Sequence, residues 1–167
     1  MMLSRVSTLL QDDHRRLLEL WDECQKAAQT LDALKLAHLR NCFGKFAAGL
    51  RRHIQAEEKI LFPRLEKRRI DTALTADPLA IVRSEHREIE QILDNLEELT
   101  RAREYSTVVH TLEGQPYDFA QLLASHISKE QEVLYPLIDR LLGEEETQKL
   151  AEAVRTELGS SEQTVTA

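Results

Sequence analysis

The sequence predicts an all-α fold, an antiparallel up-down-up-down four-helix bundle with a short extra C-terminal helix. Three observations carry this expectation. Only 5 Gly and 4 Pro occur among 167 residues, apolar residues recur at helical spacing in four long stripes, and the two halves of the chain repeat one another. The length suits one domain with a real core. Residues 1–142 are expected to form the bundle, 143–158 the short helix and 159–167 a disordered tail, since the last stretch is small, polar and free of periodic apolar residues.

The first helix is expected over 4–30, where Leu3, Leu10, Leu17, Cys24 and Leu31 recur every seven residues with His14, Trp21 and Ala28 on the same seam. Asp32 offers an N-cap for the second, whose stripe runs Leu36, Leu39, Phe43, Phe46, Leu50, His53, Glu57, Ile60 to an end near Arg69. Asp77 followed by Pro78 starts the third, because Asp accepts orphan amide bonds and Pro presets the first helical residue. Its stripe is Leu79, Val82, His86, Ile89, Leu93, Leu96. The fourth stripe, Val109, Leu112, Pro116, Phe119, Leu123, His126, Glu130, Val133, Leu137, keeps its period through Gly114-Gln115-Pro116, which predicts a kinked helix or two collinear pieces. After Gly143 an acidic helix is expected from Glu144 to about Leu158.

A net charge of −7 without a dominant basic stripe argues against nucleic acid as a partner. No stretch reaches the ~20 apolar residues of a membrane span, and the opening residues lack the apolar core of a secretory signal. The expectation is therefore a cytoplasmic protein with no membrane partner. Cys24 and Cys42 form no Cys-x-x-Cys pair and read as small buried core residues.

The repeat carries the chemistry. HIQAEEKILFP at 53–63 answers HISKEQEVLYP at 126–136, and upstream Asp13-His14-Arg15 answers Glu85-His86-Arg87. Each half is a helical hairpin with one His on its first helix and a His-x-x-x-Glu on its second. Residues four apart stack on one helix face, so His53 with Glu57, and His126 with Glu130, each aim a nitrogen and a carboxylate at one point. Spacing alone is weak support, because such pairs arise by chance in a chain rich in Glu. Position is stronger: His14, His53, Glu57, His86, His126 and Glu130 all fall in apolar stripes. There an unpaired carboxylate costs several kcal/mol. No Lys or Arg shares those seams, so the compensating charge must come from a bound cation. In antiparallel hairpins His14 and His53 fall within ~5 Å of the same depth, and His86 and His126 match likewise.

Four imidazoles and two carboxylates exceed the four ligands of a structural zinc and are too rich in nitrogen for calcium or magnesium. Two ions of a borderline metal fit, iron first, with manganese or zinc as substitutes. A ferritin-like site would need Glu-x-x-His, and no His in this chain has Glu three residues before it. His38 and His110 lack a carboxylate four residues on and read as surface residues, Trp21 reads as core, and Glu58 is read as solvated because it points about 100° away from Glu57.

The paired pattern, a His and then a His-x-x-x-Glu before Leu-Phe-Pro or Leu-Tyr-Pro, resembles the hemerythrin-like (HHE) cation-binding family over residues 5–142. The resemblance implies a hemerythrin-like bundle holding two Fe ions with an oxo or hydroxo bridge. It also implies that Glu57 and Glu130 bridge them, that His14 and His53 end one iron, and that His86 and His126 end the other. The chain departs from the oxygen-carrying members in two places. Glu90 stands where they have a fifth His, and His126-x-x-x-Glu130 replaces a His-x-x-x-x-Asp. Glu90 is carried as a seventh metal-ligand candidate beside the reading of a half-exposed helical Glu. The resemblance, with the leucines Leu50 and Leu123 one turn from the ligands, points to a small diatomic or peroxide as the partner molecule. The functions it implies are oxygen binding, sensing or protective redox work, with iron sensing or storage, iron-sulfur repair and peroxide removal as the rivals. It names no redox partner.

Overall fold

The computed structural model describes residues 5–29, 36–68, 77–101 and 116–159, and these are helical almost throughout. The main helices are α1 (Arg5–Gln29), α2 (Leu36–Ala56), α4 (Pro78–Arg101) and α5 (Pro116–Lys129). A π-helical turn, Glu57–Leu61, joins α2 to α3 (Phe62–Lys67), and a second, Glu130–Leu134, joins α5 to α6 (Tyr135–Leu141). The last described helix is α7 (Glu144–Gly159). The predicted Asp32 cap, the Gly114-Gln115 part of the interruption and the tail from 160 lie outside the described residues, whereas Gly159, expected in the tail, ends α7.

Side-chain pairings give the directions. On α1 and α2, Asp13 meets His53 and Trp21 meets Phe46, so the later residue of one helix faces the earlier of the other. On α2 and α4, Arg51 meets Glu97, whereas further along Glu58 meets Arg83. Between α1 and the last long pair, Ser7 meets Asp139 and Trp21 meets Phe119. Each neighbour is antiparallel, which is the up-down-up-down ring that the four stripes predict.

Local chemistry fixes the ends. The Leu79 amide donates to Asp77 Oδ1 at 3.0 Å, the cap expected before Pro78. In α7, Glu144, Glu145 and Glu146 occupy the positively polarised first turn, and the Thr147 amide donates to the Gly143 carbonyl at 3.0 Å.

The π turns are where the structure corrects the expected stripes. The Phe62 amide donates to the Glu57 carbonyl and the Tyr135 amide to the Glu130 carbonyl, both five residues back. One residue is thereby inserted into the helical count, which rotates everything beyond by about 100°. Leu61, not Ile60, is fully buried, and Leu134 is 0% exposed whereas Val133, expected on the seam, is 38% exposed. Pro63 and Pro136 give the physical reason, since a proline lacks the amide that would bond the carbonyl four residues earlier.

The core falls into two clusters, with the polar repeat residues between them. One contains Leu17, Trp21, Phe46, Leu50, Ile89, Leu93, Phe119 and Leu123. The other contains Leu10, Leu61, Phe62, Leu65, Leu134, Tyr135 and Ile138 and is closed by Leu150 and Val154 of α7. Cys24 and Cys42 are buried free thiols, and burial pushes Cys24 up to about 12. No described helix is long and apolar enough to cross a membrane.

Candidate metal centre

Each helix delivers its polar residue from the gap between its two apolar clusters: His14 between Leu10 and Leu17, His53 and Glu57 between Leu50 and Leu61, His86 between Val82 and Ile89, His126 and Glu130 between Leu123 and Leu134. All six are buried, and Glu57 and Glu130 are 0% exposed. The structure brings these six sequence-predicted residues together. Glu130 turns Oε2 to His14 Nε2 (3.1 Å) and Oε1 to His126 Nε2 (3.0 Å) and His86 Nε2 (3.5 Å). Glu57 turns Oε1 to His53 Nε2 (3.6 Å) and Oε2 to His86 Nε2 (3.3 Å). Each carboxylate thus offers one oxygen to each histidine pair.

Two overlapping donor groups result. Glu57, His86, His126 and Glu130 form one, His14, His53 and Glu130 the other, and within each group the donor atoms lie within 4.8 Å of one another. The Nε2 atoms of His14, His53, His86 and His126, with Glu57 Oε2 and both Glu130 oxygens, have no hydrogen-bond partner although they are buried. Buried polar atoms are rarely left so, and these seven belong to the two overlapping donor groups. A nitrogen and oxygen donor set of this kind fits a borderline transition metal.

Around this centre lies a shell that the sequence reading missed. His53 Nδ1 shares a hydrogen bond with Asp13 Oδ2 (2.9 Å), His86 Nδ1 with Glu58 Oε1 (2.9 Å) and His126 Nδ1 with Glu85 Oε2 (3.1 Å). Each of these carboxylates is paired in turn with a rim cation: Asp13 with Arg16, Glu58 with Arg83, Glu85 with Lys129. Each outer carboxylate thus meets a cation at the rim, Arg83 being shared with Glu66, and among the described residues Glu57 and Glu130 are ion-paired with histidines alone. A carboxylate on the outer nitrogen holds each ring with its Nε2 inward and makes that nitrogen more basic. The visible signal was the acidic residue before the first His of both halves, Asp13 and Glu85.

The expected solvated role of Glu58 is corrected by its half-buried bond to His86. It does point away from Glu57, but toward the other hairpin rather than into water. Glu90 is placed differently from the six. Its side chain is exposed and it joins neither donor group, because the buried seam of α4 runs through His86, Ile89 and Leu93. His38 is exposed beside Cys42, Trp21 is core, and His110 lies outside the described residues.

Without a cation three of the imidazoles, His53, His86 and His126, are raised toward the protonated form beside the buried carboxylates. Burial alone would lower His53, but the Glu57 charge and the Asp13 hydrogen bond push it up to about 10. Burial is likewise overcome at His86, which the neighbouring Glu130 and Glu57 carboxylates push up to about 10. Burial would raise Glu130, yet His126 and His14 hold it well below the usual carboxylate range. His14 goes the other way, lowered by burial and by the His53 charge.

A helical bundle with a buried His and Glu cluster able to hold metal defines a class of cation-binding domain. The sequence profile of the hemerythrin HHE cation-binding domain matches residues 5–138, and the chain belongs to that family. A search of curated proteins found no match.

Proposed function

We propose that this chain is a non-haem di-iron protein that binds or reduces a small ligand, oxygen, peroxide or nitric oxide, as a sensor or protective redox protein. The supporting observation is that Glu57 and Glu130 each turn one oxygen to the His14/His53 pair and the other to the His86/His126 pair, while the facing nitrogens lack hydrogen-bond partners. In this reading His14 and His53 would hold one ion, His86 and His126 the other, and Glu57 and Glu130 would be shared by both, with manganese or zinc as substitutes for iron. Bound ferrous ions would supply electrons and open positions for the small ligand.

The chain's own residues would do the rest. Asp13, Glu58 and Glu85 orient three imidazoles, and Leu50 and Leu123 keep water from the apolar side. Tyr135 Oη donates to Glu57 Oε1 at 3.1 Å and holds that carboxylate in place. Metal analysis and an optical spectrum of anaerobically prepared protein test the reading. About two ions per chain are expected, with near-ultraviolet charge-transfer bands on oxidation. A single ion under iron-replete conditions would contradict it.

A further inference from the structure

The repeat makes the two halves of the centre alike at their six inner residues, and the halves differ in what surrounds them. Across the hairpins, Phe62 stacks on His86 with centroids 5.7 Å apart, and Tyr135, its counterpart in the repeat, stacks on His14 at 5.9 Å. Glu58 reaches across with a carboxylate to His86 Nδ1. Its counterpart is Gln131, which carries no charge, and His14 Nδ1 is buried without a hydrogen-bond partner. Tyr135 adds a second difference. Its hydroxyl occupies Glu57 Oε1, the oxygen that faces His53, whereas Phe62 has no hydroxyl to offer Glu130. The donor groups reflect this, one of them holding both carboxylates and the other Glu130 alone.

We propose that the two metal positions are built unequal, and that the His86/His126 position fills before the His14/His53 position. The inference rests on the two-metal reading above and adds an order of loading to it. An outer carboxylate on a ligating imidazole fixes its tautomer and raises its basicity, and loss of such a partner typically weakens metal affinity 10–100-fold. A hydrogen bond from Tyr135 draws electron density from the Glu57 oxygen on the same side. Both differences weaken the His14/His53 position.

The test is an anaerobic titration of the metal-free full chain with cobalt(II), followed by calorimetry and by visible absorption. Two steps separated by about ten-fold or more in affinity are expected. His14→Ala should keep the tight step and lose the weak one, whereas His126→Ala should lose the tight one. Gln131→Glu should tighten the second step and Glu58→Gln should weaken the first, with helical circular dichroism of each metal-free variant separating lost affinity from lost fold. Two ions bound with one affinity, a tight step lost in His14→Ala, or a second step unmoved by Gln131→Glu would overturn the unequal positions and leave the two-metal reading intact. Failure of the parent chain to bind cobalt would overturn both.

Discussion

The charges of Glu57 and Glu130 are the residues' whole difficulty and their whole use. Both are 0% exposed, and an isolated ionised carboxylate so placed costs several kcal/mol. Among the described residues Glu57 and Glu130 are ion-paired with histidines alone, so imidazolium or metal compensates the inner pair. A carboxylate shared by two ions contributes to both, and a terminal imidazole to one. Glu57→Ala and Glu130→Ala should therefore each lower metal occupancy more than His14→Ala, while Glu90→Ala, altered at an exposed site, should leave occupancy at the parent value. Metal analysis after anaerobic reconstitution decides this. Equal losses in the first three variants would remove the distinction between bridging and terminal residues.

The π turns are the elements that turn a regular bundle into a site. Each begins at the inner glutamate and ends just before the aromatic that stacks across the hairpins, Phe62 on His86 and Tyr135 on His14. The inserted residue moves Leu134 onto the core seam and Val133 off it. Leu134→Ala should consequently cost about 2–5 kcal/mol, whereas Val133→Ser should stay within about 0.5 kcal/mol. Denaturant melts of the metal-free protein measure both, and the reverse order would mean an unbroken α-helical register. This is also where sequence reading reached its limit. The stripes up to His53, Glu57, His126 and Glu130 were legible because a helix has one period and apolar residues obey it. Beyond each glutamate the period slips by a residue, and only Pro63 and Pro136, repeated at the same offset, signalled it. Glu58 was misplaced for a related reason: its direction followed from helical geometry, but the histidine waiting there belongs to another hairpin, and no spacing within one helix reveals that.

At the scale of the whole molecule, the centre lies between two apolar clusters and ties all four long helices together, so its charge state is coupled to folding. In the metal-free protein His53 and His86 are raised to about 10 from an ordinary value of 6.5. The folded state then binds more protons than the unfolded state between those limits. The resulting stabilisation is present in full below about pH 6.5 and is lost as pH rises toward 10. The melting temperature of chelated protein should therefore fall across that window. Bound metal replaces the protons and stabilises only the folded state, so the loaded protein should melt higher, with the difference widening as pH rises. A gap that narrows with rising pH would contradict the exchange of protons for metal.

The central claim is that four histidines and two glutamates from both hairpins share one dinuclear centre. Anomalous diffraction at the iron edge, from crystals reconstituted anaerobically, tests it most directly. Two peaks are expected, one against His14 and His53 and one against His86 and His126, each also touching Glu57 and Glu130. A single peak, or iron seated away from these six residues, would contradict the account.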